Sequence, residues 1–216
     1  MKITIFGASG RTGQQLVSQA LDRGHQVTAY VRRPDALHIQ HPGLRVVMGT
    51  LDQTDKLREA IAGAGACVSA LGVNSLRKRS AEFTGGVDRI VTLMEQEDVP
   101  RFIYLSSVGA GESRSYLPQP LRFFIVDVML RVPLADHFAN EQRIAKSKLQ
   151  WTVVRPVGLG DGPQTGKIVH GTGKTVINSN KSISRADVAA FMLDQLTETT
   201  YLNKAVWLKV QIQANG

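Results

Sequence analysis

The sequence predicts an α/β domain built on a doubly wound parallel sheet, and three observations carry that prediction. Strand-like and helix-like runs alternate through the first two-thirds of the chain. A glycine-rich turn, Gly7-Ala8-Ser9-Gly10-Arg11-Thr12-Gly13, joins the first such pair. The length, 216 residues, suits one sizeable core and not two ordinary domains with a linker. Residues 1–216 are therefore expected to form a single domain.

The elements follow in order. Lys2-Ile3-Thr4-Ile5-Phe6 reads as a buried first strand. The helix after the turn, near 11–23, carries Leu16, Val17, Ala20 and Leu21 on one face and stops at Gly24. Further strands are expected near 26–32, 44–48, 67–71, 102–106 and 151–155, with helices near 54–63, 80–98 and 136–148. Val87, Ile90, Val91 and Met94 mark the buried face of the helix over 80–98. Such alternation means right-handed βαβ units and a parallel sheet. Ser184-x-x-Asp187 resembles a capping box opening a late helix, and Lys204–Val210 reads as a last strand. Residues 109–135 break the rhythm with Gly109, Gly111, Pro118, Pro120 and Pro133, and with Phe123, Phe124 and Met129 between them. Ligands of doubly wound folds bind beyond the strand carboxyl ends, so this excursion is expected to cover a substrate. An irregular helix pair filling surface is the plainer alternative.

Composition narrows the classes. Apolar residues make up 43% and charged residues 20%, with no biased tract, so disorder is not expected. The single cysteine, Cys67, excludes an internal disulfide and fits a reducing cytoplasm. No signal peptide is visible at the first strand. Arg122, Asp127 and Arg131 interrupt the apolar run Leu121–Ala135, which reads as amphipathic or as a pocket wall and not as a membrane span. The net charge of +8 comes from scattered residues, densest at Arg77-Lys78-Arg79, with no aromatic-interleaved stripe. An anionic small ligand explains it more economically than nucleic acid or a membrane.

Several residue groups point to chemistry. Gly7, Gly10 and Gly13 fit G-x-x-G-x-x-G between a strand and a helix, where backbone approaches a pyrophosphate and helix N-terminal N–H groups bind its charge. A ligand-free turn is the alternative, weakened by the spacing. The second strand ends in Arg32-Arg33-Pro34. An acid there takes the ribose hydroxyls of NAD, whereas an arginine suits the 2′-phosphate of NADP. Arg32 is the better placed, with Arg33 and Arg11 assisting. In Ser69-Ala70-Leu71-Gly72-Val73, Gly72 leaves room for a nucleotide backbone. Ser106 and Ser107 end the fifth strand, where a hydroxyl faces a nicotinamide, and Pro156 and Val157 end the sixth on its far side. Thr50 and Leu51, after the third strand, complete the cofactor set. No Tyr-x-x-x-Lys pair occurs at Tyr30, Tyr104, Tyr116 or Tyr201, so alcohol oxidation by a phenol relay lacks its usual base. His38-x-x-His41 beside Pro42 reads as surface and no metal is expected. His137 is either a substrate contact or a structural histidine.

With these pieces placed, the chain resembles the atypical short-chain dehydrogenases, specifically the biliverdin reductase B/flavin reductase group and the NmrA-like proteins beside it. IFGASGRTG, TAYVRRP, SALG, the serine pair, ADHF, GDGPQTG and ISRADVAAFML fall in that family's order. The resemblance implies a Rossmann-like domain that uses NADPH to reduce flavins, linear tetrapyrroles or related planar acceptors. It implies Gly7, Ser9, Gly10, Arg11, Thr12 and Gly13 at the pyrophosphate and Arg32 at the 2′-phosphate. Leu71, Gly72 and Val73 would line the nucleotide channel, Ser107 would be the active-site serine and His137 a pocket histidine. The family's Gly-Asp pair after the third strand reads Gly49-Thr50 here, with Asp52 two places on, and a family histidine is replaced by Gly158. The resulting expectation is an NADPH-dependent reductase, monomeric or weakly homo-oligomeric, with flavin as a substrate and not a tightly bound cofactor. The alternative is a non-catalytic NADP(H)-sensing regulator acting through a protein partner. Sugar-nucleotide epimerisation is disfavoured by the missing tyrosine–lysine pair.

Overall fold

β1 (Lys2–Phe6) is buried on both faces, and the sheet grows outward from it in both directions. The computed structural model describes residues 1–73, 76–119, 122–175 and 182–211. After β1 come α1 (Arg11–Asp22), β2 (Gln26–Val31), β3 (Leu44–Met48), α2 (Thr54–Ile61), β4 (Ala66–Ser69), α3 (Ala81–Gln96) and β5 (Arg101–Leu105). The second half holds α4 (Arg131–Ala145), β6 (Gln150–Pro156), β7 (Leu159–Gly160), β8 (Ile168–Gly171), β9 (Ile183–Ser184), α5 (Arg185–Asp194) and β10 (Lys204–Val210). The main sheet runs β3-β2-β1-β4-β5-β6-β10-β8, parallel except for the antiparallel β10–β8 pair, while β7 and β9 pair separately.

Two apolar layers sandwich that sheet. Ile3 and Ile5 face α1 and α5, packing with Leu16, Val17, Val188 and Met192. Phe6, Cys67, Phe102 and Tyr104 face the other way, against α2, α3 and the Ile144 side of α4. Burying each large apolar side chain contributes roughly 1.5–3 kcal/mol, so these layers dominate the driving force. Burial also pushes the Cys67 thiol far up, which makes it inert packing.

Four local results bear on the site. The Ser184 hydroxyl accepts from Asp187 N at 2.9 Å, the cap expected for α5. Asp187 in turn accepts from Thr165 N and Gly166 N at 2.7 and 2.8 Å, pinning the loop after β7 to the helix start. The excursion over 109–135 contains a 3-10 turn at Gly111–Tyr116, a π-helix at Arg122–Met129 and the first turn of α4, which begins at Arg131 and not near 136. Pro120 and Leu121 of that excursion lie outside the described residues. β7, β8 and β9 were not expected.

Candidate active site

Reversal of strand order at β1 places the ends of β1, β2 and β4 around one crevice, the position where doubly wound folds hold ligands. The chain leaves β1 at Gly7 with φ +73°, the left-handed conformation that glycine adopts without strain. Gly10 N donates to Gly7 O at 3.0 Å, closing the turn, and α1 starts at Arg11. A Cβ on Gly13 would sit 2.0 Å from Gly7 O, so that position must lack one for α1 to seat on the strand. The first N–H groups of α1 are thereby presented at the crevice.

A cleft of about 180 Å³ follows, lined among others by Gly7, Ser9, Gly10, Arg32, Leu51 and Leu71. Gly72 lines it too, with open space beside its backbone. Arg32 is exposed, and among the described residues neither its side chain nor that of Arg33 has a hydrogen-bond or ion-pair partner. Arg33 stands next to the cleft in sequence and does not line it. Arg11 pairs with Asp161 at 2.8 Å, and Asp161 also takes Arg185, so a loop after β7 touches the glycine turn. Thr12 is buried at the helix start.

Residues that the sequence reading did not single out complete the cleft. Tyr30 lies in its wall, packed on Phe6 and donating its hydroxyl to Thr50 O at 2.8 Å. Burial first, then the carboxylates of Asp52 and Glu59, push that phenol up to about 12. Thr50 spends its own hydroxyl on exposed Asp52, a bond that holds the Asp52 carboxyl below its ordinary value. Phe83 and Glu82, on the first turn of α3, form the opposite wall. Their signal in the sequence is Ser80, whose hydroxyl caps Phe83 N at 3.1 Å. Buried Asp136 of α4 holds that capped end, accepting from Ser80 N at 2.9 Å and Arg79 Nε at 2.5 Å.

Beyond the cleft, β5 lies two strands from β1, roughly 10 Å along the sheet. Ser107 is the one partly open residue between positions 101 and 110, with its hydroxyl donating to Val108 O at 3.1 Å. Ser106 turns the other way and donates to Glu141 at 2.5 Å. Val73 packs against the core beneath α3, and Pro156 is buried against β10 while Val157 stays half-buried. His137, on α4, meets the Phe83 ring edge-on at 5.3 Å and bonds Tyr104 through Nδ1 at 2.9 Å. Burial lowers its pKa to about 4, although neighbouring Asp136 works in the opposite direction.

That depression predicts a pH effect on stability. The native imidazole stays neutral while an unfolded one protonates near 6.5, so stability is intact above 6.5 and falls as pH drops towards 4. The slope from this group approaches about tenfold in the unfolding constant per pH unit. His25 and His170 are also lowered, mainly by burial, and add in the same sense. Urea midpoints at pH 7.5 and 5 are expected to converge in His137→Gln relative to wild type. An equal drop in both proteins would contradict the assignment.

A parallel sheet with a glycine turn at its switch point, and a free arginine at the end of its second strand, defines a dinucleotide-binding fold of the Rossmann class. The chain belongs to the NAD(P)H-binding family, whose sequence profile it matches over residues 7–199. It is 28% identical to an uncharacterised chloroplast protein of Arabidopsis thaliana, covering 99% of this chain and 78% of that one. It spans about half the length of several other curated relatives that it matches. Among solved structures it resembles ChuY, an anaerobillin reductase of Escherichia coli O157:H7, with a TM-score of 0.83, 21% identity and full coverage of both chains. A short-chain dehydrogenase/reductase of Veillonella parvula in complex with NADP gives a TM-score of 0.79 at 21% identity, covering 96% of this chain and 93% of that one. Among the described residues, no helix is long and apolar enough to cross a membrane.

Proposed function

We propose that the chain is an NADPH-dependent reductase that passes hydride to a planar conjugated acceptor such as a flavin, a biliverdin-type tetrapyrrole or a quinone. The observation that carries the cofactor choice is Arg32, an exposed guanidinium that lines the same cleft as the glycine turn and is left without a protein partner among the described residues. The residues fit the dinucleotide. The turn offers backbone N–H groups where Gly7 and Gly10 present no side chain, and Gly72 leaves open space beside it. Bound NADPH supplies the hydride; the protein supplies orientation, which alone provides much of such a rate. Ser107 is assigned to orienting the reacting end and His137 to the acceptor side of the pocket. Thr12 and Gly13 act through the helix start, Thr50 and Leu51 at the base end. A fold neighbour named as an anaerobillin reductase supports a reductase reading with a related acceptor.

The test is NADPH oxidation against FMN, FAD, biliverdin and simple quinones. Turnover of at least one is expected, with colourless purified protein and FMN released after reaction. Background rates with all four would reject the reductase and leave a sensor to be tested by its partner. Arg32→Ala tests the cofactor separately. A hydrogen bond to a charged group contributes roughly 1.5–3 kcal/mol, so NADPH affinity should fall about 10–150-fold. NADH has no 2′-phosphate and should be little affected. Equal losses by calorimetry would remove the role, and Arg32→Ala/Arg33→Ala shows whether the neighbour shares it.

A further inference from the structure

The hydrogen bonds behind His137 run in one direction, and that direction fixes where the imidazole carries its proton. Asn140, 1% exposed, points its Nδ2 at the Tyr104 hydroxyl from 3.0 Å. An amide nitrogen only donates, so it occupies a lone pair of the phenol oxygen. The phenol hydrogen then goes to the remaining partner, His137 Nδ1 at 2.9 Å. A neutral imidazole that accepts at Nδ1 holds its hydrogen on Nε2. The two ring nitrogens point roughly opposite ways. With Nδ1 turned into the core, Nε2 is the outward one, and among the described residues it has no partner. The residue keeps some exposure, and its ring rests against Phe83, a wall of the cofactor cleft.

We propose that Tyr104 and Asn140 are positioning residues that lock His137 in its Nε2–H tautomer, so that it presents a fixed, uncharged hydrogen-bond donor to an oxygen of the acceptor. Only the last clause rests on the reductase reading. The charged groups around the ring are committed elsewhere. Asp136 on α4 is held by Ser80 N and Arg79, and Glu141 one turn further is held by Arg155 and Ser106. β5 contributes uncharged Tyr104, and α3 contributes Phe83 with exposed Glu82 beside it. A preorganised neutral donor stabilises negative charge developing on a carbonyl oxygen without first capturing a proton from water. It also favours an uncharged oxygen over one that demands a cation.

The direct test is a long-range ¹H–¹⁵N correlation spectrum of ¹⁵N-labelled full-length protein at pH 7, with His137→Gln identifying the signals. One protonated nitrogen at Nε2 and one bare nitrogen at Nδ1 are expected. Tyr104→Phe removes the donor to Nδ1 and should give a mixture of tautomers. With FMN as acceptor, kcat should then fall about tenfold while the NADPH Kd changes less than twofold. The wild-type spectrum decides first and needs no variant to fold. An Nδ1–H pattern, the reverse chain with the Asn140 amide turned over, overturns the proposal. A pure Nε2–H pattern persisting in folded Tyr104→Phe overturns the role of Tyr104. If no acceptor is turned over, the reductase reading fails while the spectrum still judges the tautomer.

Discussion

Arg155→Met is expected to lower stability by about 3–5 kcal/mol, the cost of leaving a buried charge without its partner. Arg155 and Glu141 have side chains 5% and 6% exposed, joined by a contact at 2.5 Å and a second from Nε at 3.0 Å. Burial pulls the guanidinium towards neutrality, but the bonds it donates to Glu141 and Glu112 outweigh it and raise its pKa above the usual value. Methionine fills much of the space and offers no donor, so Glu141 retains only the Ser106 hydroxyl. At roughly 2–4 °C per kcal/mol for a chain of this size, the melting temperature should drop about 6–20 °C. Replacing both partners, Glu141→Leu with Arg155→Met, removes the stranded carboxylate and should recover most of the loss. A single variant that melts with wild type would show that the pair contributes nothing net. Glu112, whose side chain is exposed on the 3-10 turn, should respond far less, since its end of the contact with Arg155 is open to water.

The contrast between this network and the glycine turn explains what could be read in advance. The turn is local: seven consecutive residues set its conformation, so Gly7, Gly10 and Gly13 declared the switch point of the sheet directly. Ser184 and Asp187 were legible for the same reason, a cap made three residues apart. Arg32 was readable as a cleft residue because it directly follows β2, one of the strands that ends at the crevice. The Ser106–Glu141–Arg155 cluster joins residues 35 and 14 apart in sequence, and nothing local to any of them announces it. Tyr104, Asn140 and His137 meet only because α4 lies across β5. The start of α4 was misplaced because Pro133 read as a breaker. It is the third residue of the helix, where an N–H has no intrahelical acceptor and proline does no harm. The π-helix at Arg122–Met129 escapes a search for 3.6-residue periodicity, since its wider winding groups exposed Phe123, Phe124, Val128 and Met129 differently. β7 and β9, two residues each, carry no period at all.

Gly10→Val should remove measurable NADPH binding from a protein that still folds. Gly10 caps α1 with φ −72° and ψ 163°, an extended conformation open to any residue, so valine introduces no backbone strain. A Cβ there meets only Gly7 O, at 3.2 Å, which a few tenths of an ångström of movement relieve. The remaining side chain projects from an exposed residue of the cleft lining, where a pyrophosphate has to come within reach of the α1 N–H groups. The dominant loss is therefore in binding. Gly13→Ala provides the opposite case. Its Cβ would lie 2.0 Å from Gly7 O and 2.8 Å from the Ala8 backbone, so the junction of strand and helix has to open. Gly13→Ala should therefore melt well below wild type, whereas Gly10→Val should melt close to it with no calorimetric signal for NADPH. Unchanged NADPH affinity in folded Gly10→Val would mean that the turn serves only to connect β1 to α1, and that the dinucleotide lies elsewhere on the sheet.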